Sequence, residues 1–148
     1  MNPSQLRRNI LSEHVLLRGK LSEVEAALRK VAQGEHADDA QLRGQVQQFV
    51  KSFLDHIEME NASLVPMLQG IDAWGQIRAE QVARDHDWQR AALTRLADEA
   101  KLGSTAEIVR MVETLAKQIR EDIEHEEETV LSPNLLRDDP IAIDQADG

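Results

Sequence analysis

Apolar residues return along this chain at alternating steps of three and four, the rhythm that lines one face of an α-helix, in four successive blocks. The first block carries Ile10, Leu17, Leu21, Val24, Leu28 and Val31, and the second Leu42, Val46, Phe49 and Phe53. The third offers Val82, Leu93 and Leu96, and the fourth Ile108, Val112, Leu115 and Ile119. Breaks fall near Gly34, Gly70 and Gly103, where a helix C-terminus favours a residue that accepts left-handed geometry. Start signals agree: Asn2 before Pro3, Asp38 and Asp39, Asp72, and Ser104-Thr105-Ala106-Glu107 as a capping box. The pattern predicts helices near 3–33, 40–68, 74–101 and 105–131. No block alternates with period two, so no sheet is expected, and the fold class is all-α, an antiparallel up-and-down four-helix bundle.

Each apolar stripe turns polar at one level. His14 fills the open step of the first stripe, and the second continues into His56 and Glu60. The third places His86 and Gln89 between Val82 and Leu93, and the fourth runs on into Asp122 and Glu126. An internal repeat relates these positions. Adding 72 carries Glu13-His14 and Arg18 onto Asp85-His86 and Arg90, and adding 66 carries His56, Glu58 and Glu60 onto Asp122, Glu124 and Glu126. The chain reads as two copies of a helical hairpin, which brings the polar level together at the centre of the bundle. Pro66 and Pro133 follow the two polar pairs, where each ends or bends its helix. The bundle is expected over 1–133, with a short acidic tail at 134–148 that folds back over a bundle end or serves as a contact segment.

Composition narrows the chemistry. With 148 residues the chain is one ordinary domain, able to bury a core without staples. It has no cysteine, which excludes disulfides, thiolate zinc sites, iron–sulfur clusters, thiolate haem and cysteine nucleophiles, and fits a reducing cytoplasm. There is no tyrosine and hence no tyrosyl radical. The N-terminal residues lack a charged stretch followed by an apolar region, and no apolar run reaches membrane-spanning length, so a soluble cytoplasmic protein is expected. With 27 acidic against 17 basic residues and a net charge of −10, the chain repels nucleic-acid backbones and anionic membranes but not metal cations. No serine sits in a turn motif with a histidine, and no glycine-rich phosphate loop appears.

Residues four apart share a helix face, so His56 with Glu60, and Asp122 with Glu126, each present two side chains to one ion or an ion pair. His14 and His86 add one imidazole from each of the other helices. Burying six such groups unpartnered costs several kcal/mol apiece, on the order of the penalty for any uncompensated buried charge, and a cation relieves it. Imidazole with carboxylate and no sulfur suits iron, manganese or zinc, and a four-helix core points to a dinuclear carboxylate site.

On these residues the sequence resembles the hemerythrin-like (HHE) cation-binding family, whose four helices supply a His, a His-x-x-x-Glu, a His, and a second His-x-x-x-Glu or acidic variant. His14 matches the first ligand, His56 and Glu60 match the intact His-Ile-Glu-Met-Glu motif, and His86 matches the third-helix ligand. The resemblance implies non-haem iron, a diiron pair bridged by carboxylate and oxo or hydroxo groups, that binds or processes dioxygen, peroxide or nitric oxide, or buffers iron. Arg90 stands where oxygen-carrying hemerythrins place a second third-helix histidine, which weakens the oxygen-carrier reading and favours redox chemistry on peroxide or nitric oxide, or sensing.

The fourth helix admits two registers. Either His125 is the family histidine and has lost its carboxylate, since Thr129 lies four residues on, or Asp122 replaces the histidine and Glu126 is the carboxylate. The stripe and the repeat favour Asp122 with Glu126, leaving His125 at the flank as a supporting group. Two further readings stand beside the iron protein: a regulatory or interaction module that uses metal to set its shape without turnover, and a metal-free bundle held by ion pairs among the same residues. Glu13, Glu58, Asp85 and Glu124 are expected to face solvent or to pair with Arg18 and Arg90. Trp74 and Trp88 are expected as packing anchors, Met59, Met67 and Met111 as core or flank filling, and His36 as a loop residue. The oligomeric state is not encoded in any recognisable feature.

Overall fold

The computed structural model describes residues 1–34 and 39–139; His36, Asp38 and the tail from residue 140 onward lie outside the described residues. Four helices make up the fold: α1 (Pro3–Ala32), α2 (Asp39–Gln69), α3 (Gly75–Leu102) and α4 (Thr105–Glu128), with no strand among the described residues. They touch in the cyclic order α1, α2, α3, α4 and back to α1, as an up-and-down four-helix bundle does.

Local chemistry sets the helix ends. The Asn2 side chain accepts the Gln5 N–H at 2.9 Å and Ser104 accepts that of Glu107 at 3.2 Å, so both are N-caps. Only half of the expected capping box forms, because the Glu107 carboxylate pairs with Arg110 instead of reaching back. Asp72 is not the cap of α3. Trp74 holds that place with no side-chain bond, while Asp72 accepts the Trp74 N–H at 2.9 Å and binds Arg78 in the turn. Of the three breaks, only Gly34 is left-handed, at φ +85°, and Gly103 is extended. Pro66 does not end α2, which runs one further turn to Gln69.

The fourth helix stops at Glu128, earlier than its apolar pattern predicts. There the Thr129 N–H and hydroxyl both bond the His125 carbonyl, at 3.0 and 2.7 Å, and the Leu131 N–H bonds Glu126 at 3.0 Å, winding the chain out of the helix ahead of Pro133. This turn drives Val130, Leu131 and Leu136 into the bundle end against Leu6, Ile10, Leu64 and Leu68. Asp138 accepts from the Ser4 N–H at 2.9 Å and its hydroxyl at 2.6 Å, and the Leu131 carbonyl accepts from Arg7 Nε at 2.6 Å. The first residues of the acidic tail thus seal the start of α1.

Two apolar cores result. The larger, around Leu17, Leu21, Phe49, Phe53, Leu93, Ile108 and Ile119, fills one end of the bundle, and the smaller, sealed by Leu131 and Leu136, fills the other. Between them lies a layer in which His14, His56, Glu60, His86 and Gln89 are buried. Met111 packs on the larger core and Met59 and Met67 on the smaller, as expected. The tryptophans do not anchor packing: Trp74 is 64% exposed, and Trp88 lines an open groove between α3 and α4.

Candidate metal centre

Each helix brings its polar side chains to this layer because they interrupt an otherwise apolar stripe. Glu60 is at its centre. Its Oε1 meets His56 Nε2 in a short contact and lies 3.9 Å from His14 Nε2, while its Oε2 lies 3.9 Å from His86 Nε2. Glu126 reaches in from α4, with Oε1 3.2 Å from His14 Nε2. The donor atoms of His14, His56, Glu60 and Glu126 all fall within 4.8 Å of one another.

Of the six residues singled out in the sequence, these four converge. His86 adjoins them through the second oxygen of Glu60. Asp122 lines the same small cavity but is only half-buried, and its two oxygens accept hydrogen bonds from Gln89 at 3.1 Å and Gln118 at 3.0 Å. His125 is exposed and stands apart from the converging group. Arg90 turns away to pair with Glu58 at 2.8 Å, so Gln89 is the residue that faces the layer beyond His86.

Three supporting residues escaped the sequence reading. Glu127 accepts from His14 Nδ1 at 2.8 Å and forms a two-pronged bond with Arg18 at 2.8 and 3.0 Å. Glu13, expected to face solvent or bind Arg18, instead stands 3.3 Å from His56 Nδ1. Asn61 accepts from His86 Nδ1 at 2.6 Å. Asp85 takes a bond from Gln81 at 3.3 Å and pairs with neither arginine. A signal was present: each supporting residue directly precedes or follows a candidate ligand, and the repeat maps Asn61 onto Glu127 and Glu13 onto Asp85. With every Nδ1 held by an acceptor, each ring turns Nε2 toward the centre, the arrangement that orients imidazoles on metals.

The electrostatics are those of a cluster short of a positive charge. Burial opposes a charge on His14, yet the Glu126 and Glu60 carboxylates beside it outweigh this and raise its pKa to about 10. Burial, then the Glu60 charge, pushes Glu126 up to about 8. Burial also works against the Glu60 anion, but the His14 and His56 imidazoles beside it hold it well below the usual carboxylate range. His86, with burial dominant, is shifted down. Glu60 Oε2 and Glu126 Oε1 are buried with no hydrogen-bond partner, a costly arrangement that a cation would relieve. Imidazole nitrogens and carboxylate oxygens from separate helices, two of the oxygens orphaned, fit a first-row divalent metal.

The Hemerythrin HHE cation binding domain model matches residues 5–132, which takes in all four helices. No curated protein and no solved structure matches the chain. The match spans most of the sequence and encloses every residue of the buried layer, and on that ground the chain belongs to the hemerythrin HHE cation-binding domain family.

Proposed function

We propose that the chain is a non-haem iron protein whose polar layer holds a pair of irons and binds or processes dioxygen, peroxide or nitric oxide, or buffers iron. One observation carries the reading: two buried carboxylate oxygens without hydrogen-bond partners, Glu60 Oε2 and Glu126 Oε1, face the imidazoles of His86 and His14 at 3.9 and 3.2 Å. His14, His56, Glu60, His86, Asp122 and Glu126 would hold the metal. Bound there, iron supplies Lewis acidity and one-electron redox chemistry. The chain itself contributes geometry. Glu127, Glu13 and Asn61 fix the rings, and Phe53 and Ile123 supply apolar walls to the small cavity among His14, His56, Glu60 and Glu126.

A second reading draws on the layered core. Ions held between two apolar cores by His14, His56, Glu60, His86, Asp122 and Glu126 would tie all four helices, which suits a module whose shape reports metal without turnover.

Anaerobic loading with excess iron, followed by elemental analysis and near-ultraviolet absorption, tests the proposal. We expect about two irons per chain at saturation, as dinuclear bundle sites take, with uptake lowered in Asp122→Ala and unchanged in His125→Ala. Failure of the wild type to take up iron would refute it. Loaded protein that is inert toward peroxide and nitric oxide but changes in solution scattering would establish the shape-reporting module instead.

A further inference from the structure

The internal repeat allows the two halves of the layer to be compared position by position. His14 corresponds to His86, His56 to Asp122, Glu60 to Glu126, and Glu127 to Asn61. The halves are not chemically equal. In one, four donors converge within 4.8 Å, and both imidazoles are backed by carboxylates, His14 by Glu127 and His56 by Glu13. In the other, His86 is backed by a neutral amide, Asn61, and the place of the second imidazole is taken by Asp122. Both Asp122 oxygens are engaged by amide donors, Gln89 and Gln118. Glu60 faces both halves, Oε1 toward His14 and His56, and Oε2 toward His86.

An imidazole that gives its Nδ1–H to a carboxylate is a stronger metal ligand than one that gives it to an amide. A carboxylate that must loosen amide hydrogen bonds to coordinate is a weaker ligand than one with an orphaned oxygen. Both carboxylate-backed imidazoles and the orphaned Glu126 oxygen fall in one half; the amide-backed imidazole and the amide-bonded carboxylate fall in the other, where Glu60 Oε2 is the one orphaned oxygen.

We infer that the two metal positions are unequal: one cation is held tightly by His14, His56, Glu60 and Glu126, and a second, at His86, Glu60 and Asp122, is held weakly and exchanges with the surroundings. The inference rests on the metal-binding reading above and deepens it. The chain then passes between one-metal and two-metal forms as free metal rises, so the weak half meters metal while the tight half stays filled.

Anaerobic titration of the full chain with cobalt(II), followed by calorimetry and visible d–d absorption, tests this. We expect two steps of one cobalt each, with affinities separated by about tenfold or more, the range that supporting groups command. Gel filtration should leave about one cobalt per chain, as the tight step predicts. Asp122→His, which restores an imidazole, and Gln89→Ala, which frees the Asp122 carboxylate, should each tighten the second step and leave the first unchanged. His14→Gln should abolish the tight step, with circular dichroism checking that every variant keeps its helix content. Two cobalts bound in one indistinguishable step, or a weak step that neither Asp122→His nor Gln89→Ala moves, would overturn the inequality while leaving metal binding intact. No cobalt uptake by the wild type would overturn the metal reading itself.

Discussion

His14 shows how much a single side chain is asked to do. It is 1% exposed, gives Nδ1 to Glu127 and turns Nε2 to Glu60 and Glu126. Since Glu127 is fixed in turn by Arg18, Glu127→Gln should release the ring and weaken metal binding by about tenfold or more without loss of helix content, read by titration with cobalt(II). An unchanged affinity would remove Glu127 from the site. The protons already in the layer set the pH response. His14, raised to about 10, and Glu126, raised to about 8, are both protonated at neutral pH, so a cation must displace them. Between about pH 6 and 8 metal affinity should therefore rise with pH, releasing about one to two protons per metal, and a flat profile would contradict it. The candidate ligands were legible because each breaks an apolar stripe. Their supports were not, because a residue one step along a helix points about 100° away, and what it meets depends on the neighbouring helix.

At the scale of the elements, helix starts follow the sequence within a residue, since periodicity and caps are local. Helix ends follow less closely where tertiary contacts decide. The apolar pattern runs on past Glu128 because Val130 and Leu131 are core residues, but they reach the core from a turn and not from a helix. The start of α3 depends on another contact invisible in the sequence. A Cβ on Gly75 would overlap the carbonyl oxygen of Leu68 at the end of α2, so the two helix ends meet at a distance that only glycine permits. Gly75→Ala should cost about 1–3 kcal/mol, the usual range for overpacking, measured by chemical denaturation. A substitution without cost would mean that the α2–α3 turn yields easily.

The molecule as a whole was legible in its layering: four stripes with one polar level dictate an apolar core on either side of a buried site. What the sequence concealed is that the second core is completed by Leu136, beyond the helices, because a single leucine after a helix carries no periodic signal. The division of the core also shapes how the fold opens. Without metal, the two ends are joined by a layer of imperfectly satisfied polar groups, so each can open with its own free energy, as local unfolding units do. With metal, any opening that separates the four helices at the layer must also release the ion, and each such opening is penalised by the same increment, about 2.7 kcal/mol when free metal is a hundredfold above Kd. Amide hydrogen exchange should then show Leu64 and Leu68 at one end, and Val46 and Phe49 at the other, slowed by equal factors on metal loading. The ion would act on the chain as a shared lock, turning two doors that open separately into one that opens all at once.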